Sequence, residues 1–463
     1  MKKLFGTDGI RGKVDEYPID AGTLKEIGYS FAKVMFGNET GEIYIGNDGR
    51  ISAKNIEKNL KIGIEKHGSS CISVGLLPTP ALGIAMNNFA KKNTAAIQIT
   101  ASHNQFQDNG IKLFNYKGEK IEESEQFKIE EMVLKGENTF TENEIEIKID
   151  DEFKNRYIQY IKKYFSRKIT NDLKIKGKIN VLIDCSNGAF SQIIKLLFPD
   201  DLINITAINN TPNGENINLN CGATDTRQLQ DFIKFFNGKK IKSSKGLEKV
   251  LKLDLGLAID GDGDRAIFVD SSGDTIDGDD ILFILSKHLK NMNTKDVVGT
   301  VMTNFGVREC YKNIDLNFIE VDVGDSNILR EMRKRNSFLG GESSGHIIIN
   351  DHKGFLVGDA IITFINVLEV LQRTKKSLSE LISDIKRVPS RLINIEVKDK
   401  LGFLSSDFTI QIIDELHRRI DTDGRLLVRP SGTENVVRFL IEHKHISELE
   451  SLVKYLCDNI RSQ

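Results

Sequence analysis

Apolar residues along the first half of the chain come in short runs broken by polar loops. Glu42-Ile43-Tyr44-Ile45-Gly46, Cys71-Ile72-Ser73-Val74-Gly75 and Ala95-Ala96-Ile97-Gln98-Ile99 each read as a strand. Each runs into a loop rich in Gly, Asp, Pro or Ser, and the alternation predicts α/β layers around a mostly parallel sheet. Loops at the C-terminal ends of such strands are where ligands usually sit. A polar stretch from Lys135 to Asp151 predicts a boundary. Beyond it, Phe153, Tyr157, Ile161 and Tyr164 recur at helical spacing. Lys178 to Ile183 opens a second unit that ends in Asp184-Cys185-Ser186-Asn187-Gly188, and Leu255 to Ile259 opens a third. Ala360 to Leu371 reads as a buried helix. Leu392 to Val397 alternates like a half-exposed strand, and Leu449, Leu452, Val453, Leu456 and Ile460 share one face of a closing helix.

Composition narrows the function classes. At about 150 residues per domain, 463 residues make three or four domains. With 64 Lys+Arg against 66 Asp+Glu the net charge is −2, which excludes a general nucleic-acid binder. A hydrophobic share of 39% excludes wholesale disorder. No window reaches the roughly 18–20 apolar residues of a membrane span, and no apolar region follows Lys2 and Lys3 as in a secretory leader. Cys71, Cys185, Cys221, Cys310 and Cys457 form no Cys-x-x-Cys pair, so reduced thiols in a cytoplasmic protein are expected. The Lys-rich stretch Asn237 to Lys249 reads as a solvated loop.

Four loops carry chemistry. Asp260-Gly261-Asp262-Gly263-Asp264-Arg265 puts three carboxylates at alternate positions, and like charges that close call for a cation. The glycines let the backbone curl so that all three aim at one point. Hard oxygen donors suit Mg²⁺. An EF-hand would need Gly at the sixth position and Glu at the twelfth, where this chain has Arg265 and Ser271. A dinucleotide fingerprint would set carboxylates against a pyrophosphate. The second loop, Thr100-Ala101-Ser102-His103-Asn104, follows a strand, and a serine there is either a nucleophile or part of a polar turn. Neighbours on an extended chain point opposite ways, which makes His103 a poor base for Ser102. The third, Arg429-Pro430-Ser431-Gly432-Thr433-Glu434-Asn435 with Arg438 beyond, offers a guanidinium, hydroxyls and exposed N–H groups, the inventory of a phosphate cradle. The fourth, Gly340 to His346, carries Glu342, Ser344 and His346 on a glycine frame suited to hydrogen bonding with hydroxyls, a weak signal by itself because exposed polar loops are common.

These loops, with Phe5-Gly6-Thr7-Asp8-Gly9-Ile10-Arg11-Gly12, occur in an order that resembles the α-D-phosphohexomutase superfamily from Phe5 to Arg438 and beyond. The FGTDGIRG opening and Val297 to Gly306 are similar to its glucosamine branch rather than its mannose/glucose branch. The resemblance implies four domains around a central cleft: three related α/β units with mixed sheets plus a smaller C-terminal α+β domain. The expected division is 1–150 with the serine loop, 151–253, 254–370 with the metal and sugar loops, and 371–463 with the cradle.

It also implies roles. Ser102 would carry the phosphoryl group, assisted by Arg11, Lys112 and His103, with Lys112 a candidate acid/base. Ser102, Asp260, Asp262 and Asp264 would hold one Mg²⁺ per chain. Arg265, Glu342, Ser344 and His346 would contact the sugar. Arg429, Ser431, Gly432, Thr433 and Arg438 would grip the phosphate that is not reacting. The implied reaction interconverts glucosamine 6-phosphate and glucosamine 1-phosphate through glucosamine 1,6-bisphosphate, which serves as intermediate and activator, and feeds UDP-N-acetylglucosamine and cell-wall precursors. The implied partner is a small sugar phosphate, not a nucleic acid or membrane, with a homodimer left open. A hinged last domain would let the bisphosphate reorient. Four positions depart from the family pattern: Gln105 and Asn435 stand where proline is usual, and Ser326-Asn327 stands where Arg-Tyr is typical. The alternatives are a phosphomannomutase/phosphoglucomutase, a phosphatase with an aspartyl nucleophile, and a non-catalytic sugar-phosphate sensor.

Overall fold

The structure, a computed structural model, describes residues 4–6, 8–89, 91–136, 138–141, 147–169, 178–199, 201–237, 239–242, 248–250, 252–288, 295–351, 354–431 and 435–460. The first sheet contains β1 (Ile10–Lys13), β2 (Glu42–Asn47), β3 (Ser70–Leu76), β4 (Thr94–Ile99) and β5 (Asp108–Phe114), in the order β3-β2-β4-β5-β1. The first two pairings in that order are parallel and the last two antiparallel.

The second sheet contains β6 (Ile179–Asp184) and β7 (Ile203–Ile208). After the short hairpin β8 (Lys240–Lys242) and β9 (Glu248–Val250) it adds β10 (Leu255–Ile259), β11 (Ala266–Asp270) and β12 (Thr275–Ile276). Its order, β7-β6-β10-β11-β12, again runs parallel, parallel, antiparallel, antiparallel. The third sheet, β14 (Asn317–Val321), β13 (Asp296–Thr300), β15 (Leu339–Gly341), β16 (Ile347–Asn350) and β17 (Leu356–Gly358), repeats the scheme. The fourth sheet is smaller and antiparallel: β18 (Ser390–Glu396), β20 (Val436–His443) and β19 (Gly424–Pro430). The expected four-part α/β architecture is therefore present, and topology reveals the threefold repeat that the sequence showed only faintly.

Two expected boundaries move. Leu255–Ile259, expected to open the third unit at residue 254, is the central strand of the second sheet, paired in parallel with β6. Its antiparallel return through β11 and β12 completes that sheet, so the metal loop belongs to the second unit and the third begins at helix Gly278–His288. The cut at 370/371 falls inside helix Ala360–Thr374. Asp359 opens that helix by accepting from the amides of Ile361 and Ile362, and fully buried Ile361, Phe364, Ile365 and Leu368 hold it in the core. Of the Lys-rich stretch, β8 and β9 pair antiparallel, and residues 243–247 lie outside the described residues.

The first three units share one continuous core. Val74 and Ala85 of the first, Tyr157, Leu257 and Phe268 of the second, and Phe283, Ile347 and Phe364 of the third belong to a single cluster. Polar bonds reinforce it: Tyr157 Oη donates to Asp359 Oδ2 at 2.9 Å, and Asn366 Nδ2 donates to Tyr164 Oη at 2.9 Å. The last unit packs a separate core around Leu416, Val437, Phe439, Leu452 and Leu456. The five cysteines are free thiols. Among the described residues no helix is long and apolar enough to cross a membrane.

Candidate active site

The three repeated sheets each offer the same loop, the turn from the third strand into its antiparallel neighbour. These are residues 100–107 after β4, 260–265 after β10 and 342–346 after β15. β4 and β10 are buried along their whole length, which fixes where their loops emerge. All three meet at one cleft of about 560 Å³, lined by Asp8, Arg11, His103, Asp264, Arg265, Glu342 and His346 among others.

Ser102 is buried and its Oγ donates to Asp260 Oδ2 at 2.9 Å, joining the serine loop to the metal loop. Its φ of 52° lies in the left-handed region. The chain is thus turned rather than extended, and the opposed geometry expected for His103 does not hold: His103 Nδ1 lies 3.5 Å from Ser102 Oγ. Burial, followed by the charges of Arg265 and Arg11, lowers the His103 pKa to about 4, so the ring is neutral near pH 7.

Asp260, Asp262 and Asp264 are all buried, and one ligand oxygen from each lies within 4.8 Å of the other two. Asp262 Oδ1 and Asp264 Oδ1 are buried without a hydrogen-bond partner. Three converging carboxylates, two of which carry an unsatisfied buried oxygen, fit a hard divalent cation. Burial, then the charges of Asp264 and Asp262, push the Asp260 pKa well up. Thr79 braces the loop from the first unit, with its hydroxyl on Asp262 Oδ2 and its amide on the Asp262 carbonyl at 2.9 Å.

Lys112 is buried and donates to Asp262 Oδ2 at 2.8 Å and Asp264 Oδ2 at 3.0 Å, with Asp8 Oδ2 at 3.2 Å. Burial pulls its pKa down, but the three carboxylates outweigh that and leave it well above the ordinary value. Its positive charge balances these three carboxylates. Arg11, on β1, pairs with Asp8 and faces the same cleft.

In the third loop, Glu342 accepts from the Gly324 amide at 3.0 Å and from Ser344 Oγ at 3.2 Å. His346 Nδ1 lies 3.1 Å from the Asp264 carbonyl oxygen. Burial opposes its charge, but Asp264 raises its pKa to about 9. His346 therefore ties the sugar loop to the metal loop. Arg429 and Arg438 stand directly opposite each other across β19 and β20. Burial and then the Arg438 charge lower the Arg429 pKa, with Asp322 opposing. Two guanidiniums at facing positions repel each other, and an anion between them would relieve that repulsion. These residues and Ser431 stand in the fourth unit, outside the lining of the cleft; Asp322 precedes cleft residues Val323, Gly324 and Asp325. Gly432 and Thr433 lie outside the described residues.

The structure adds residues that sequence reading missed. Lys120 bridges Asp8 of the first unit and Asp325 of the third. Asp48 and Arg50 form a fully buried ion pair, and Asn218 reaches from the second unit to the serine loop. A charged pair in the strand-end loop Asn47-Asp48-Gly49-Arg50 was the available signal for two of them. Nothing in the sequence around Asn218 marked it.

Family models for phosphoglucomutase/phosphomannomutase match the chain in three stretches: alpha/beta/alpha domain I at residues 2–140, alpha/beta/alpha domain III at 277–388 and the C-terminal domain at 392–458. The domain III match starts directly after β12. A phosphoglucosamine mutase from Histophilus somni (strain 129Pt) is 36% identical over 100% of this chain and 99% of its own. One from Coxiella burnetii (strain Dugway 5J108-111) is 35% identical over 96% of this chain and 95% of its own. Among solved structures, a phosphoglucomutase/phosphomannomutase family protein from Burkholderia thailandensis has a TM-score of 0.75 at 20% identity, covering 100% of this chain and 98% of that one. An Aspergillus fumigatus N-acetylphosphoglucosamine mutase, solved with GlcNAc-6P and magnesium, has a TM-score of 0.65 at 18% identity, covering 99% of this chain and 95% of that one.

Proposed function

Because this chain belongs to the phosphoglucosamine mutase family of the phosphohexomutases, we propose that it interconverts glucosamine 6-phosphate and glucosamine 1-phosphate through a phosphoserine at Ser102 and a 1,6-bisphosphate. The observation that carries the reading is Ser102 Oγ, 2.9 Å from Asp260, at the point where equivalent loops of three units converge.

Phosphoryl transfer is mainly positioning and charge neutralisation. Asp260, Asp262 and Asp264, with an oxygen of phosphorylated Ser102, would hold Mg²⁺, which when bound draws off negative charge from the phosphoryl group. In the first half-reaction the bond between phosphorus and Ser102 Oγ breaks as one to the O1 hydroxyl oxygen of glucosamine 6-phosphate forms, and that hydroxyl's proton ends on Ser102 Oγ. In the second the bond between the 6-phosphate phosphorus and sugar O6 breaks as one to Ser102 Oγ forms, and the serine proton ends on O6. Each step exchanges a phosphoryl group for a proton, and over the full cycle Ser102 returns to its phosphorylated form with no other residue changed in charge. His103, neutral and next to Ser102 Oγ, is placed to relay the proton at Nδ1. Lys112 and Arg11 supply fixed positive charge beside the transferring group. Glu342 and Ser344 present oxygens to the sugar. Arg429 and Arg438 would grip the phosphate at the far end of the substrate, and their separate core leaves the fourth unit able to close over it.

The test is direct. The protein is incubated with Mg²⁺, glucosamine 6-phosphate and a trace of sugar bisphosphate, and glucosamine 1-phosphate is measured. Product formation that Ser102→Ala abolishes supports the reading. Activity that survives Ser102→Ala rejects the phosphoserine, and product from mannose or glucose phosphates alone rejects the substrate.

A further inference from the structure

Ser102 is held by side chains that never enter the cleft. Its backbone sits in the left-handed region, which a residue with a Cβ rarely adopts unaided, so something must keep it there. Arg50 donates from Nη2 to the Ser102 carbonyl at 3.0 Å, and from Nη1 to the carbonyls of Asp108, at 3.0 Å, and Gln105. Two of its bonds thus go to the backbone of the serine loop and a third to the first residue of β5. Its Nε donates to Asp48 Oδ2 at 2.9 Å. That same carboxylate oxygen accepts from Thr100 Oγ1 at 2.6 Å, and Thr100 Oγ1 accepts from the Ser102 amide at 2.7 Å.

Asp48 therefore reaches Ser102 from both sides, through Arg50 to its carbonyl and through Thr100 to its amide. Asn218 of the second unit adds a second donor on the Ser102 carbonyl at 2.9 Å and one on the Asn104 carbonyl at 3.0 Å. The Asp48 and Arg50 side chains are fully buried. A buried ion pair is a weak source of stability because desolvation offsets its attraction, so geometry is the better account of this one.

We propose, resting on the function proposed above, that Asp48, Arg50 and Thr100, with Asn218, are positioning residues that fix the Ser102 backbone so that Oγ points at the metal loop. With amide and carbonyl both pinned, only the side-chain torsion moves Oγ, and one setting of it meets Asp260. Misplacement of a reacting atom by about 1 Å costs about 100-fold in rate.

The experiment follows Ser102 phosphorylation by glucose 1,6-bisphosphate and Mg²⁺, read by mass spectrometry of the Ser102 peptide. Thr100→Val keeps the side-chain shape and removes both hydroxyl bonds. The expected result is a rate lower by about 100-fold with KM for the bisphosphate within about threefold, and recovery to within about fivefold in Thr100→Ser. Circular dichroism and thermal melting establish that each variant is folded. A folded Thr100→Val with a rate within about threefold of the parent overturns the clamp, as does an equal loss in Val and Ser. If Thr100→Val does not fold, Asn218→Ala decides: a loss of about tenfold at unchanged KM supports the clamp, and an unchanged rate overturns it. A parent chain that never takes the phosphoryl group on Ser102 overturns the proposed function and the clamp together. A parent that labels normally beside indifferent variants overturns the clamp alone.

Discussion

The serine loop, residues 100–107, and the metal loop, residues 260–265, both carry the third strand of a sheet into its antiparallel fourth. The metal loop is braced mostly from within and by backbone. Asp260 Oδ1 accepts from the amides of Gly263 and Arg265, Gly263 has a φ of 84°, and the Gly263 carbonyl accepts from the Ala360 amide. The serine loop has no glycine and puts a side-chain-bearing residue in the left-handed region. It depends on distant groups instead: Arg50, Asp48 and Asn218. A loop whose main task is to aim carboxylates at an ion can use glycine. A loop that must keep a serine at its strained position needs outside support.

This contrast can be broken at several points. The largest effect is expected from Ser102→Ala, which removes the group-carrying oxygen and should lower mutase kcat by at least about 10⁴-fold with little change in melting temperature. Coupled product assays and a thermal melt check both halves.

Lys112→Met probes how the metal loop tolerates its own charge. Without the ammonium, Asp262 loses its cationic partner while Asp8 keeps Arg11 and Lys120 and Asp264 keeps Arg265 and His346, and the loss of stability without added metal should be about 3–5 kcal/mol. Mg²⁺ should raise the melting temperature of this variant more than that of the parent. Equal shifts would mean that the cation does not sit among these carboxylates.

Gly263→Ala tests the glycine brace. An added Cβ would lie 2.3 Å from Phe190 Cε2, at a backbone angle that alanine resists. A cost of about 2–4 kcal/mol in urea unfolding is expected, against about 1 kcal/mol for Gly354→Ala, where φ is similar at 87° but nothing lies within 4 Å of an added Cβ.

The smallest effect is a control away from both loops. Burial, then the charge of Asp277, raise the Asp279 pKa from 3.8 to about 7. The folded state therefore binds a proton that the unfolded state releases, and stability falls as pH rises from about 4 to about 7, then levels off. Asp279→Asn should be more stable than the parent by about 1 kcal/mol at pH 8, with the gain vanishing toward pH 4, and with unchanged kcat. Melts at the two pH values read the difference.

Much of this architecture was legible in the sequence, because strand runs and helical stripes such as Phe153, Tyr157, Ile161 and Tyr164 report burial directly. The acidic triplet was legible because its chemistry is written in one contiguous loop, whereas Ser102 and Glu342 were given their roles only by the family resemblance. What escaped was pairing across units. Leu255–Ile259 has the pattern of any buried strand, and only its parallel partner β6 says which sheet it joins. His103 was misjudged because a local φ of 52° at Ser102 is invisible in a string of residues. Arg50, Lys120 and Asn218 act through contacts 52 or more positions away, so no local pattern announces them.

The measurement that tests the account most directly compares kcat/KM for glucosamine 6-phosphate with that for mannose 6-phosphate and glucose 6-phosphate, using purified protein with Mg²⁺ and trace bisphosphate. A preference for glucosamine 6-phosphate of about a hundredfold or more, about 2.7 kcal/mol of transition-state discrimination, is the predicted result. Equal or better rates on the mannose or glucose phosphates would contradict the substrate while leaving the serine chemistry in place, and no transfer to or from Ser102 with any of them would contradict the account at its centre.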